Sequence, residues 1–341
     1  MAQSDSRGRE LYNRLRKILK DPGIIPPGEL IQVLNAALYS VSSPAPGIRP
    51  LDERGVPGGL VELPQAEYRI IVPDLHGRMD FLLKVLRHRP PGDYPARGPV
   101  LSDVLAGRAQ IICVGDAFHS ESRGRQRWQQ AMEEFIDGFK RHGAMDQEMR
   151  ENLGLLAMIC ILQDAAPAGF FFLKGNHENI ANEEGEGNHP FRKFVYEGDM
   201  VKRWVQQFMG EEIFRMIYEW EKALPLMTRA EDFLVTHAEP ARVLSEDDVI
   251  NAYLRPGVIH SLTWVDNGQA EEYSAEGTLS NFLGSRDGGR IFGGHRPVSG
   301  RYDLRQQGRY VQINTPNRHV IAYVDDMKNF LPEQNIYEIQ D

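Results

Sequence analysis

Cysteine is almost missing from this chain. Only Cys113 and Cys160 occur among 341 residues, so no disulfide framework is available, and a reducing, cytoplasmic setting is expected. Long apolar runs are missing too. The longest, "LGLLAMICIL" at 153–162, stops at Gln163 and Asp164, well short of the roughly 20 residues that span a bilayer, and reads as a core helix. The opening "MAQSDSRGRELYNRLRKILK" has no apolar stretch followed by small residues, so no signal peptide is expected, and neither is a membrane partner. An excess of positive charge is absent as well. The net charge of −9 argues against a nucleic-acid partner, which needs a broad basic surface, but leaves room for a local basic pocket. What is present, 41% hydrophobic and 26% charged residues, is an ordinary globular composition with material for a substantial core.

The first 66 residues differ in texture from the rest. Leu11, Leu15, Ile18 and Leu19 have helical spacing within residues 8–20, and "PGELIQVLNAALYSV" (27–41) predicts a second amphipathic helix with Pro near its start. Pro and Gly then crowd the stretch up to about Leu60, a loop or linker. Residues 1–66 are therefore expected to be an N-terminal helical extension and linker ahead of a main domain at 67–341.

From Tyr68 onward, short β-branched or aromatic runs appear, and most end in a polar cluster. They are "YRIIVPDLHG" (68–77), "AQIICVGDAFH" (109–119), "AGFFFLKGNHE" (168–178), "DFLVTHAEP" (232–240) and "GRIFGGHRP" (289–297). "YVQINTPNRHVIAYVDD" (310–326) predicts a hairpin turning at Thr315 to Arg318. Continuous apolar runs suit strands buried on both faces by helices. Helices are expected between them, at 80–88, 125–143 and 199–220 among others. The segments 121–165 and 179–231 exceed what a strand connection needs and are expected to be helical insertions, either a cap over a site or a layer on the sheet.

The chemistry sits where the runs stop. In α/β sheets, ligands bind beyond the carboxyl ends of strands, where loops converge. Five successive strand ends carry Asp74 and His76, then Asp116, then Asn176 and His177, then His237, then His295. A lone Asp-x-His or Gly-Asp is a weak signal. Five strand ends that all offer N or O donors are a strong one. Carboxylate, imidazole and amide oxygen suit Mn, Fe or Zn, and no Cys sits among them. A carboxylate can bridge two cations, and two-metal hydrolases hold their ions roughly 3.5–4 Å apart. Glycines beside the donors (Gly77, Gly115, Gly175, Gly294) allow tight turns and close backbone approach.

"DLHGR", "GD", "KGNHE", "VTHAE" and "GGHRP", in this order, resemble the motifs of the calcineurin-like metallophosphoesterases. They are most similar to the branch that contains serine/threonine phosphoprotein phosphatases and diadenosine tetraphosphate hydrolases. The resemblance spans about 67–326. It implies an α/β (α+β) fold, a four-layer αββα sandwich of two mixed β-sheets flanked by helices, with a helical insertion or cap and the N-terminal extension. It also implies a binuclear metal-dependent phosphoric ester hydrolase in which metal-bound hydroxide attacks a phosphate monoester. Asp74 and His76 would ligate the first metal, Asp116 would bridge, and Asn176, His237 and His295 would complete the second, with Mn expected and Fe or Zn open. His177 would act as general acid or hold a phosphate oxygen, supported by an acidic neighbour. "SLTWVDNG" (261–268), with Trp264, and "NTPNRH" (314–319) are similar to segments near the site in the phosphoprotein phosphatases.

One loop departs from the pattern. The family expects Gly-Asp, then two intervening residues, then Asp or Asn followed by Arg-Gly. Here "GDAFHSESRGR" puts His119 and Ser120 at those places. Glu121 and Arg123 are the expected substitutes, with His119 and Glu121 behind the ligands. Further candidates to hold phosphate are Arg78, Arg286, Arg290 and Arg296, since Arg suits bidentate phosphate contact. The expected substrate is a phosphorylated protein, or alternatively a dinucleoside polyphosphate or another small phosphoester. A competing, less favoured expectation is a non-catalytic scaffold.

Overall fold

The computed structural model describes residues 2–90, 98–284 and 288–340. Arg286 lies outside them. Two mixed sheets face each other. Strands are β1 Leu60–Glu62, β2 Tyr68–Val72, β3 Ala109–Cys113, β4 Phe170–Phe172, β5 Met227–Arg229 and β6 Phe233–Thr236. They continue with β7 Arg290–Gly293, β8 Asp303–Arg305, β9 Tyr310–Gln312, β10 Val320–Val324 and β11 Ile336–Glu338. One sheet runs β11-β10-β2-β3-β4 and the other β1-β5-β6-β7-β9-β8. β2, β3 and β4 are mutually parallel, and so are β6, β7 and β9, so each sheet gathers its strand ends at one edge.

The strands alternate between two hydrophobic environments, as period-two geometry requires. Ile70 and Val72 of β2 join the cluster under the first helical layer, while Ile71 between them packs into the inter-sheet core. In β6, Phe233 and Val235 face that same inter-sheet core, and Leu234 faces the helices of the second sheet. Four layers result, αββα, because both faces of each sheet are apolar and both must be covered. Helix Gly143–Ala165 is buried along the whole of Leu153–Leu162, which explains an apolar run with no polar stripe.

Residues 2–66 take part in both halves. Leu15, Leu30 and Leu34 of the two N-terminal helices belong to the cluster under the first helical layer, and β1 pairs with β5 at an edge of the second sheet. Three expectations are corrected. The stretch 310–326 turns at Thr315–Arg318, but β9 and β10 lie in different sheets and form no hairpin. The helix expected over 125–143 ends at Ile136, where Gly138 (φ 72°) and Phe139 (φ 58°) break it. That over 199–220 is interrupted at Gly210 (φ 89°). Among the described residues, no helix is long and apolar enough to cross a membrane.

Candidate metal centre

The loops after β2, β3, β4, β6 and β7 meet at the sheet edges, and backbone hydrogen bonds tie them together. His76 N–H donates to the Asp116 carbonyl at 2.7 Å, Gly77 N–H to that of Ala117 at 2.9 Å, and Gly294 N–H to that of His237 at 2.8 Å. His76, Asp116 and His295 adopt left-handed backbone (φ 46°, 56° and 61°), uncommon for residues with a Cβ. The turns double back sharply enough to aim each side chain inward. Glu178 fixes two loops at once: its carboxylate accepts N–H from Asp116 and Ala117 (2.8 Å each) and from Gly175 (2.7 Å).

The donor atoms converge. Asp116 Oδ2 lies 3.7 Å from His76 Nε2 and 3.6 Å from His237 Nε2, between the two imidazoles. Each ring hands its other nitrogen to a carbonyl, His76 Nδ1 to Phe118 (3.1 Å) and His237 Nδ1 to Val114 (3.0 Å). That fixes the tautomers and leaves both Nε2 lone pairs facing the carboxylate. His237 Nε2 and His295 Nδ1 each stand 3.0 Å from Asn176 Oδ1, and Asp74 Oδ1 stands 3.7 Å from His237 Nδ1. Asp74, His76, Asp116, Asn176 and His237 are buried, and the His295 side chain is only 5% exposed.

Electrostatics identify what the cluster fits. Burial pushes the Asp74 carboxyl up to about 7 and the His76 imidazole down to about 3. Asp116 is likewise raised by burial and by Glu178, and His237 and His295 are lowered, chiefly by burial. Carboxylates short of positive charge facing neutral imidazole lone pairs are a donor set that metal cations satisfy. Two groups of side chains have the required closeness: Asp74, Asp116 and His237, and His76, His119, Glu121 and His177.

His177 donates its backbone N–H to Asp116 Oδ1 at 2.9 Å, and its ring meets that of His76 edge-on at 5.2 Å. Among the described residues its Nδ1 is buried without a hydrogen-bond partner, and burial, with His119 and His76 next, lowers its pKa well below the ordinary value. The acidic partner expected for it is not in hydrogen-bonding contact. Glu121 instead faces His76 Nε2 (3.7 Å) and His119 Nδ1 (3.5 Å) and forms an ion pair with Lys193. His119 is drawn up to about 9 by Glu121 and Glu197 although burial opposes this.

A cavity of about 130 Å³ opens over the donors, lined among others by His76, Asp116, Asn176, His177, Trp264 and Arg296. Arg296 pairs with Asp266 at its rim. The other described candidate arginines, Arg78, Arg123 and Arg290, lie elsewhere. Arg78 is buried and donates to the carbonyls of Asp74, Leu75, Thr315, Pro316 and Arg318, clamping the loop after β2 to the 315–318 turn. Arg123 grips Glu151 and the His76 carbonyl from behind the turn. Arg290 starts β7, at the end opposite His295, with its guanidinium over the Phe330 ring. Side chains that sequence reasoning left unassigned are also present: Glu178, although it sits inside "KGNHE", and Arg192 and Lys193 at the cavity.

A two-sheet αββα sandwich with carboxylates and imidazoles gathered at its strand ends defines a class of metal-dependent hydrolases. Residues 70–322 match the calcineurin-like phosphoesterase family model, and the chain belongs to that family, an enzyme family of phosphoric ester hydrolases. A solved structure similar in fold is a protein serine/threonine phosphatase from Saccharomyces cerevisiae with similarity to human phosphatase PP5. It has 16% identity and a TM-score of 0.58, over 93% of this chain and 90% of that one. A cold-active protein-tyrosine phosphatase of a psychrophile, Shewanella sp., aligns with 14% identity and a TM-score of 0.44, over 82% of each chain. Comparison with curated protein sequences returned no significant match.

Proposed function

We propose that the chain is a phosphomonoesterase acting on phosphoserine and phosphothreonine side chains in the cytoplasm. The observation that carries the monoester reading is the size of the cavity. About 130 Å³ is below the roughly 300 Å³ at which pockets begin to enclose whole drug-sized ligands. A terminal phosphoryl group fits with the rest of its substrate outside, whereas the internal phosphates of a dinucleoside polyphosphate would need room for a nucleoside on each side.

Asp74, His76 and Asp116 would hold one cation, and Asp116, Asn176, His237 and His295 the other, with Mn expected. Such a pair neutralises phosphate charge and makes water nucleophilic near neutral pH. The chain's own groups do the rest. Glu178 fixes the backbone of Asp116, and the Val114 carbonyl keeps His237 Nε2 free of a proton. His177 faces the cavity and is the group to handle the leaving oxygen's proton. An arriving phosphoryl dianion raises its depressed pKa, coupling protonation to substrate binding. The Phe191, Arg192 and Lys193 stretch lining the cavity supports a second reading, a small phosphomonoester. A panel of phosphopeptides, mononucleotides and dinucleoside polyphosphates with Mn²⁺ tests both. Phosphopeptide hydrolysis, absent in Asp116→Asn and strongly reduced in His177→Ala, is expected; preference for the dinucleotides overturns the monoester reading.

A further inference from the structure

The loop after β3 sends no arginine or lysine side chain into the cavity, among the described residues. Ser120 donates its hydroxyl to Glu148 Oε2 at 2.6 Å and its N–H to Glu148 Oε1 at 2.8 Å, which turns it toward helix Gly143–Ala165. Arg123 is held by Glu151 (2.6 Å) and the His76 carbonyl (3.1 Å). A phosphoryl dianion still needs fixed donors on its nonbridging oxygens.

A different segment supplies them. Arg192 and Lys193 both line the cavity, and Lys193 reaches Glu121 beside His76. Their backbone is held in place. The N–H groups of Lys193 and Phe194 donate to the buried Glu197 carboxylate at 2.9 and 2.6 Å, and that carboxylate faces His119 Nε2 at 3.5 Å. His119 stacks on Trp128 at 4.9 Å and lies face-on to Phe194 at 5.9 Å. The residue standing where an acid was expected is thus the foundation of the 191–194 segment. Arg192 has the Tyr196 ring as its neighbour (5.4 Å) and no carboxylate partner among the described residues.

We infer that Lys193 and Arg192 are substrate-binding residues that grip the nonbridging phosphoryl oxygens from the 191–194 segment, in place of an arginine from the loop after β3. This rests on the phosphomonoesterase reading. The ligand class is a phosphate monoester dianion or its inorganic product. A phosphoryl oxygen takes over Lys193 as partner on arrival, while Glu121 keeps facing His119 and His76. Substrate affinity then depends on the 191–197 segment, and metal content on the strand ends.

Inorganic phosphate binding by calorimetry, with and without Mn²⁺, and p-nitrophenyl phosphate kinetics test this on wild type, Lys193→Gln, Lys193→Arg, the Arg192→Gln/Lys193→Gln double variant and Arg296→Gln. Lys193→Gln is expected to weaken phosphate binding and raise KM by about tenfold or more. Bound Mn²⁺ should be unchanged, and the salt dependence of phosphate binding should be shallower, a readout that a merely structural role would not move. Lys193→Arg should restore most of the affinity, and the double variant should lose more. Wild-type affinity within about twofold in Lys193→Gln and the double variant, with the loss appearing in Arg296→Gln instead, overturns the inference and leaves the enzyme reading standing. Wild type that neither binds phosphate nor hydrolyses the ester with Mn²⁺ removes both.

Discussion

Glu178 holds Asp116 by its main chain, accepting the Asp116 N–H at 2.8 Å while also taking those of Ala117 and Gly175. Three buried donors converge on one carboxylate, so its charge and both its oxygens are used. Glu178→Gln keeps the size but turns an NH2 toward a backbone N–H. The expected cost is about 2–3 kcal/mol of stability and about 10–100-fold in metal affinity. Chemical denaturation and Mn²⁺ titration read these; a variant that binds Mn²⁺ as wild type does would show that Glu178 supports the fold alone.

Two glycines leave no room for a methyl group. A Cβ on Gly175 would stand 2.2 Å from Asp116 Oδ1, and one on Gly294 would stand 2.0 Å from Asp74 Oδ2. Gly175→Ala and Gly294→Ala should each displace a donor, with metal binding and activity lost and stability lowered by about 1–3 kcal/mol. Gly28, in helix Pro27–Ser42, has open space around it. Gly28→Ala should leave activity intact and stabilise by about 0.5–1 kcal/mol. Wild-type metal content in both site variants would contradict the close packing of these loops.

The donor positions were legible because each follows an apolar run, and a buried strand that stops at a polar pair leaves that pair at the sheet edge. Which sheet a strand joins was not legible. The runs around Tyr310 and Val320 have the look of a hairpin, yet register with β7 and β2 separates them, and only tertiary packing decides that. β1, β5 and β8, three residues each, are too short to carry a period. Arg78 carries no signal that its donors would go to carbonyls, and Lys193 lies far along the chain from the Glu121 it meets.

Metal linkage should be visible in thermal stability. The buried, unneutralised Asp74 and Asp116 carboxylates oppose the native state of the metal-free chain. A metal that binds only the folded form stabilises it by about 2.7 kcal/mol at a hundredfold excess over Kd, worth several degrees in a chain of this size, on the order of 2–4 °C per kcal/mol. Mn²⁺ should raise Tm, a chelator should reverse it, and Asp74→Asn and His237→Ala should each blunt the shift. Identical shifts in wild type and in both variants would place the ion elsewhere.

His88 gives a pH dependence remote from the donors. It is half-buried, its Nε2 lies 2.9 Å from the Tyr337 hydroxyl, and burial lowers its pKa to about 4. The unfolded chain binds this proton near pH 6.5, so the folded state favours neutral imidazole. Its contribution is complete above pH 6.5, falls as the pH drops from 6.5 to 4, and is constant below. The full shift would be worth roughly 3 kcal/mol, and partial exposure reduces this to about 1–2 kcal/mol. Denaturant unfolding of wild type and His88→Gln between pH 4 and 8 should show wild type losing that margin relative to the variant on the acid side only. A gap between the two that does not change with pH would mean that His88 titrates alike in both states.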